Sequence, residues 1–145
     1  MPPLPKRIWW PWDEPADCVA FYRAFRVRQA AQATLYVSAS GPYAIWLDDR
    51  WLPVPDTPLP SWRAMHRYTI DLTPGVHALN VLAASGEHGQ PFLLACLDWV
   101  QEGHPVRVGT DQDWHAVVDP PLEWMPSIPD GAQIPSQIVP PEEDP

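Results

Sequence analysis

Apolar residues in this chain recur at every second position. Between Cys18 and Arg28, Val19, Phe21, Phe25 and Val27 share one face, and only Arg23 interrupts it. Ala33, Leu35, Val37 and Ala39 repeat the pattern, as do Tyr43, Ile45 and Leu47, then His66, Tyr68, Ile70 and Leu72, then Leu79, Val81 and Ala83. A period of two places these residues on one side of a half-buried strand. Phe92 to Val100 is apolar at both parities except for Asp98, which predicts a central strand covered on both faces. Val106 and Val108 predict a short strand, and the segment 111–118 a turn followed by a last one.

The breaks fall where turns need them. Ser40-Gly41-Pro42 and Thr73-Pro74-Gly75 end strands, and Asp48-Asp49-Arg50 predicts a tight turn after which Trp51 and Leu52 return. Residues 53–62 form a Pro-rich loop and residues 85–91 a polar one. No stretch sustains a 3.6-residue period and no internal repeat is visible. Short strands separated by turns predict an all-β antiparallel sandwich or barrel. From Asp119 the character changes to recurrent proline, ending Glu142-Glu143-Asp144-Pro145. We therefore expect one domain over residues 6–118 and a Pro-rich linker or extended arm over 119–145.

Composition narrows the function classes. Of 145 residues, 46% are hydrophobic, enough for a core. The 21 prolines, about three times the usual share of roughly 5%, exclude a helical bundle. A net charge of −9 without a Lys/Arg cluster argues against nucleic acid. No apolar run reaches the roughly 20 residues of a membrane span. The N-terminus lacks the apolar stretch of a secretory signal, so the chain as written reads as cytoplasmic, or as secreted if a leader has been removed. Cys18 and Cys96 belong to no Cys-x-x-Cys pair, which argues against zinc, and they read as two buried thiols. No cofactor is expected.

The order of these segments resembles the N-terminal β-sandwich domain of bacterial α-L-rhamnosidases and related glycoside hydrolases. Ile8-Trp9-Trp10 is similar to that family's opening Trp-rich strand. Phe21-Tyr22-Arg23-Ala24-Phe25 resembles its Phe-Arg-Lys-x-Phe strand, and the run from Ala33 to Ala39 its Ala-x-Leu-x-Ile-Ser-Ala strand. The run from Tyr43 to Asp49 is similar to a Tyr-x-Leu-x-Val-Asn-Gly hairpin, the run from Tyr68 to Thr73 to Tyr-x-x-Asp-Leu-Thr, and Thr110-Asp111-Gln112-Asp113-Trp114 to a closing Thr-Asp-x-x-Trp. Tyr22 departs from the family's Arg and Asp48-Asp49 from its Asn-Gly, and the segment after Thr73 is short. The resemblance implies a jelly-roll, galactose-binding-like sandwich. It also implies that the catalytic carboxylates lie in a helical barrel that this sequence does not contain, so no catalytic residue is carried over. Ile138-Val139-Pro140-Pro141 resembles the linker before the next domain, which implies an excised or split N-terminal domain.

Candidate chemistry is sparse. Glycoside hydrolysis needs two carboxyl groups roughly 5 to 9.5 Å apart about a sugar. Asp48/Asp49 and Asp111/Asp113 read instead as turn residues. Asp111-x-Asp113 offers too few oxygens for calcium, and no metal site is expected. Ser85 and His88 share a polar loop without the setting of a nucleophile. The tryptophans are better candidates, because an indole face matches the C–H face of a sugar ring. Trp9, Trp10, Trp99 and Trp114 are expected to fill the core or close its ends. Trp46, Trp51 and Trp62, with Asp48, Asp49 and Arg50, are the candidate ligand-binding set, and the same aromatic groups could equally dock a neighbouring domain. The expected function is a non-catalytic accessory domain of a carbohydrate-active enzyme, for structural support or weak sugar binding. Its partners would be a carbohydrate and a catalytic domain or partner protein. The alternatives are a free-standing protein-interaction module and, third, a small glycoside hydrolase.

Overall fold

The structure, a computed structural model, describes residues 4–9, 18–54, 65–84, 91–118, 134–135 and 137–138. These residues form two antiparallel sheets and no helix, so none of them builds a helix long and apolar enough to cross a membrane. The strands are β1 (Ile8–Trp9), β2 (Cys18–Val27), β3 (Ala31–Ala39), β4 (Tyr43–Leu47), β5 (Arg50–Leu52), β6 (His66–Leu72), β7 (Gly75–Ala84), β8 (Leu93–Gln101), β9 (His104–Gly109), β10 (His115–Val118), β11 (Ile134–Pro135) and β12 (Gln137–Ile138). One sheet runs β12-β1-β8-β3-β6, with β9 also beside β8. The other runs β11-β10-β2-β7-β4-β5. The expected sandwich is what the chain forms.

Register explains why the period of two suffices. Phe21 lies opposite Val81, and Val81 opposite Ile45, so one parity of β2, β7 and β4 points inward together. In the facing sheet Leu35 pairs with both Tyr68 and Leu97, with the same result. Leu35, Leu97, Val37, Phe21, Val81 and Ile45 are all completely enclosed. A one-residue slip in any of these strands would turn its apolar set to water, so the register is strongly fixed.

The sequence reading of β8 needs one refinement. The strand is central, between β3 and β9, but its outer face is covered only in part. Cys96 is buried, Leu94 and Asp98 are half-buried, and Val100 is 63% exposed. The chain then reverses through Glu102 and Gly103, with φ of 53° and 78°. Two left-handed central residues make the mirror-image turn that matches strand twist. Within the expected arm, Ile134–Pro135 pair with β10 and Gln137–Ile138 pair with β1.

The two open seams of the sandwich are closed differently. On the β4/β6 side Tyr43 of one sheet reaches His66 and Tyr68 of the other, with its Oη 2.7 Å from His66 Nδ1 and 3.0 Å from Tyr68 Oη. Burial raises the pKa of both phenols and lowers that of His66, so all three are held uncharged. On the β9/β10 side Trp114 fills the gap, fully buried, its indole N–H donating to the Gly109 carbonyl at 2.9 Å. Trp114→Ala should therefore cost about 3–5 kcal/mol and lower Tm by on the order of 10 °C. Trp114→Phe should cost clearly less. Thermal denaturation of the two variants checks this, and equal losses would show that the ring does not fill the seam.

Candidate functional site

Trp46 and Trp51 meet across the β4–β5 hairpin. They are paired residues of adjacent strands, on the face that points away from the core. Trp46 is half-buried and Trp51 is 57% exposed. Asp49 and Arg50 sit exposed at the hairpin's tip. The structure thus brings Trp46, Asp49, Arg50 and Trp51 to one edge, while Trp62 lies outside the described residues.

Asp48 has a different job from its neighbours. It takes a left-handed φ of 54°, uncommon for a residue with a side chain. Its backbone N–H donates to the Ala78 carbonyl at 2.8 Å, and its Oδ1 accepts the Ala78 N–H at 2.9 Å. Its Oδ2 lies 2.7 Å from His77 Nδ1, and His77 Nε2 lies 2.7 Å from the Thr73 carbonyl oxygen. Both ring nitrogens therefore face acceptors, and only an imidazolium donates to both. Burial of the ring opposes the charge, but the hydrogen bonds to Asp48 and Thr73 and the charge of Asp48 outweigh it, and the His77 pKa is raised above 6.5. This network fixes the turn that presents Trp46 and Trp51.

The row containing the tryptophans continues across the sheet. His115 pairs with Tyr22, Tyr22 with Asn80, Asn80 with Trp46, and Trp46 with Trp51. Asn80 is completely buried, and neither its Oδ1 nor its Nδ2 has a hydrogen-bond partner among the described residues. Each such group carries a desolvation cost of about 1–3 kcal/mol, so Asn80 is an expensive residue to keep there. Sequence reasoning missed Tyr22, Asn80 and His115 as members of this row. Membership depends on which strands become neighbours, and a single strand's alternation does not carry that information.

A wide groove lies elsewhere, across the outer face of β3, β8 and β9. It encloses about 1030 Å³ and is lined by Leu4, Gln32, Thr34, Asp98, Val100 and Arg107, among others. Arg107 and Asp98 form a two-point ion pair there, Nε to Oδ1 at 2.7 Å and the terminal N to Oδ2 at 3.0 Å. Burial works against the Asp98 charge, but the hydrogen bonds from Arg107 and Cys96 and the Arg107 charge prevail and hold its pKa below 3.8. Cys96 Sγ donates to Asp98 Oδ1 at 3.3 Å. Burial, and then Asp98, push its thiol up to about 12. Cys18 is half-buried, not buried as expected, Cys96 is buried, and the two form no disulfide. Asp111 Oδ1 accepts the Asp113 N–H at 2.8 Å, the turn the sequence predicts. Among the described residues no three acids, histidines or cysteines gather as metal ligands would.

These features define an antiparallel β-sandwich with an aromatic hairpin edge. No protein-family model matches the sequence, and no characterised protein matches it at the sequence level. Solved structures do match in fold. The Streptomyces avermitilis α-L-rhamnosidase complexed with L-rhamnose is 21% identical with a TM-score of 0.77, over 92% of this chain and 14% of that one. The Pleurotus ostreatus lectin in complex with GalNAc is 20% identical with a TM-score of 0.78, over 93% of this chain and 41% of that one. The Aspergillus terreus α-L-rhamnosidase is 17% identical with a TM-score of 0.76, over 95% of this chain and 21% of that one. The chain thus spans 14% to 41% of the length of each, and the likeness is one of fold.

The two engaged histidines should have opposite pH signatures. His77, with a raised pKa, stabilises fully below about pH 6.5 and loses that contribution as pH rises through its folded value. His66, with a lowered pKa, stabilises fully above about pH 6.5 and loses it as pH falls through its folded value. Melting curves should show His77→Gln costing more at pH 5.5 than at pH 8. His66→Gln should cost more at pH 8 than at pH 5.5. Cys96 should resist iodoacetamide at pH 8 in the folded protein and react on denaturation, as mass mapping of the alkylated peptide would show. Fast native labelling at Cys96 would contradict the buried thiol.

Proposed function

We propose that this chain is a non-catalytic accessory domain that binds carbohydrate through the Trp46–Trp51 edge of its β4–β5 hairpin. The observation that carries the reading is the pairing of two indoles at an exposed strand edge, on a sandwich shared with a lectin solved with GalNAc and with small parts of rhamnosidases. In this reading the exposed Trp51 face takes the apolar side of a sugar ring. Asp49 and Arg50 at the tip orient its hydroxyls, and Trp62 is a further candidate ring. Asp48 contributes indirectly, by holding the turn. The engagement of Asp48, Asp98 and Asp111 with His77, Arg107 and the Asp113 N–H supports a binding role over a hydrolytic one.

A second reading, docking of another protein domain, rests on the wide groove over β3, β8 and β9. Its apolar lining, with Leu4 81% and Val100 63% exposed, is the kind of surface that interfaces use.

Titration of intrinsic Trp fluorescence with rhamnose, galactose, N-acetylgalactosamine and polysaccharides tests the first reading. We expect a saturable change with at least one sugar. Trp51→Ala should weaken it by roughly five- to thirty-fold, the effect of losing about 1–2 kcal/mol, with Tm unchanged. A flat response to every sugar, or full affinity in Trp51→Ala, would transfer the case to the docking reading.

A further inference from the structure

The inward face of β2 is apolar at Val19, Phe21, Phe25 and Val27, and broken at Arg23. Arg23 lies one residue beyond the end of its neighbour β10, whose first residue, His115, pairs with Tyr22. The turn 111–114 and the end of β9 stand in that place. Here the seam between the sheets opens into a cleft of about 230 Å³, lined by Leu4, Lys6, Arg23, Arg107, Thr110 and Asp111, with Val108 and Gly109.

The N-terminal segment is fastened over this cleft. The Lys6 N–H donates to the Thr110 carbonyl at 2.8 Å, and the Thr110 hydroxyl donates back to the Lys6 carbonyl. Gly109 permits the approach, because a Cβ there would stand 3.2 Å from Pro5 Cα. Lys6 is thereby held at the rim.

The charges do not balance. Arg107 is matched by Asp98. Asp111 spends one carboxylate oxygen on the Asp113 N–H. Neither Lys6 nor Arg23 has a carboxylate partner among the described residues. One terminal N–H of Arg23 donates to the Ala24 carbonyl at 2.7 Å, while its Nε is buried without an acceptor among the described residues. A buried guanidinium N–H without an acceptor is costly, so Arg23 is an expensive residue to keep at this position. A cleft with three cations and one acid also runs against the net charge of −9 of the whole chain.

We propose that this cleft binds a single oxyanionic group carried on a sugar-sized ring, with Arg23 and Lys6 as its charged contacts. The volume is below the roughly 300–1,000 Å³ of drug-sized pockets and suits one ring. The guanidinium fork of Arg23 matches the two oxygens of a carboxylate or two of those of a sulfate ester. The cleft opens from the inner side of β2, whereas Trp46 and Trp51 stand on the outer face of the same sheet. This site therefore does not depend on the proposed neutral-sugar edge.

Calorimetry and amide chemical-shift titration of the full chain decide the matter, with galacturonate, galactose 6-sulfate and galactose as probes. We expect saturable binding of at least one of the two anions, with shifts gathered at Lys6, Arg23, Gly109 and Thr110, and none with galactose at those positions. Binding of galacturonate alone assigns a uronate, and binding of the sulfate alone assigns a sulfate ester. Arg23→Gln should weaken binding about tenfold or more, and raised salt should weaken it too. Because Arg23 is part-buried, the exposed Lys6→Gln provides a variant that should fold normally and bind several-fold more weakly. The proposal is overturned if neither anion binds, if galactose shifts the same residues equally, or if Lys6→Gln binds as the parent does. Shifts at Trp46 and Trp51 report the other site in the same spectra, so either site can fail alone.

Discussion

Two sheets packed face to face fill their interior from alternate residues, but a sandwich also has two long seams where no strand continues the wall. In this chain the interior is apolar, and polar groups enter at the seams. One is closed by Tyr43, His66 and Tyr68, a polar bridge between sheets that stays neutral because it is buried. The other is closed by Trp114 up to the point where Arg23 interrupts the apolar face of β2. Among the described residues, the features with chemical content lie at a seam, at a hairpin tip or on an outer face, because the apolar interior between them leaves no room for them.

The hairpin that carries Trp46 and Trp51 shows how a fold secures a short exposed edge. A three-residue strand such as β5 has little intrinsic stability. Here the Asp48 carboxylate reaches across to β7 and ties the turn to Ala78 and to His77, which is itself anchored at Thr73. The aromatic pair stands on a support three strands deep, and the acid nearest the tryptophans belongs to that support.

Much of the fold was legible from alternation. The inward sets of β2, β3, β4, β6 and β7 were plain, because one parity was apolar and the other was not. The β8–β9 hairpin was harder, since Glu102-Gly103 lacks the usual Asn or Asp, and only the backbone reveals two left-handed residues. The full cover expected over β8 fails at Val100, because apolar residues at both parities do not specify what lies above them. Of the site, Trp46 and Trp51 were visible as aromatic residues flanking a turn, and register made them a pair. The row through Tyr22, Asn80 and His115, and the convergence of Lys6, Arg23 and Arg107, depend on contacts between residues far apart in sequence. Arg23 gave a local signal, a charge at an inward position, that strand alternation alone reads as a defect.

The pairing of β1 with β12 has an architectural consequence. Ile8 and Ile138 are partners in adjacent antiparallel strands, which places their Cα atoms about 5 Å apart. The polypeptide path is therefore nearly a closed ring. A short bridge between these strands would join them without disturbing either sheet, and the ring could be cut at an exposed turn such as Glu102–Gly103 to give a circular permutant with the same core. By the same geometry, a body built this way can be set into a loop of a host protein, with its entry and exit points side by side.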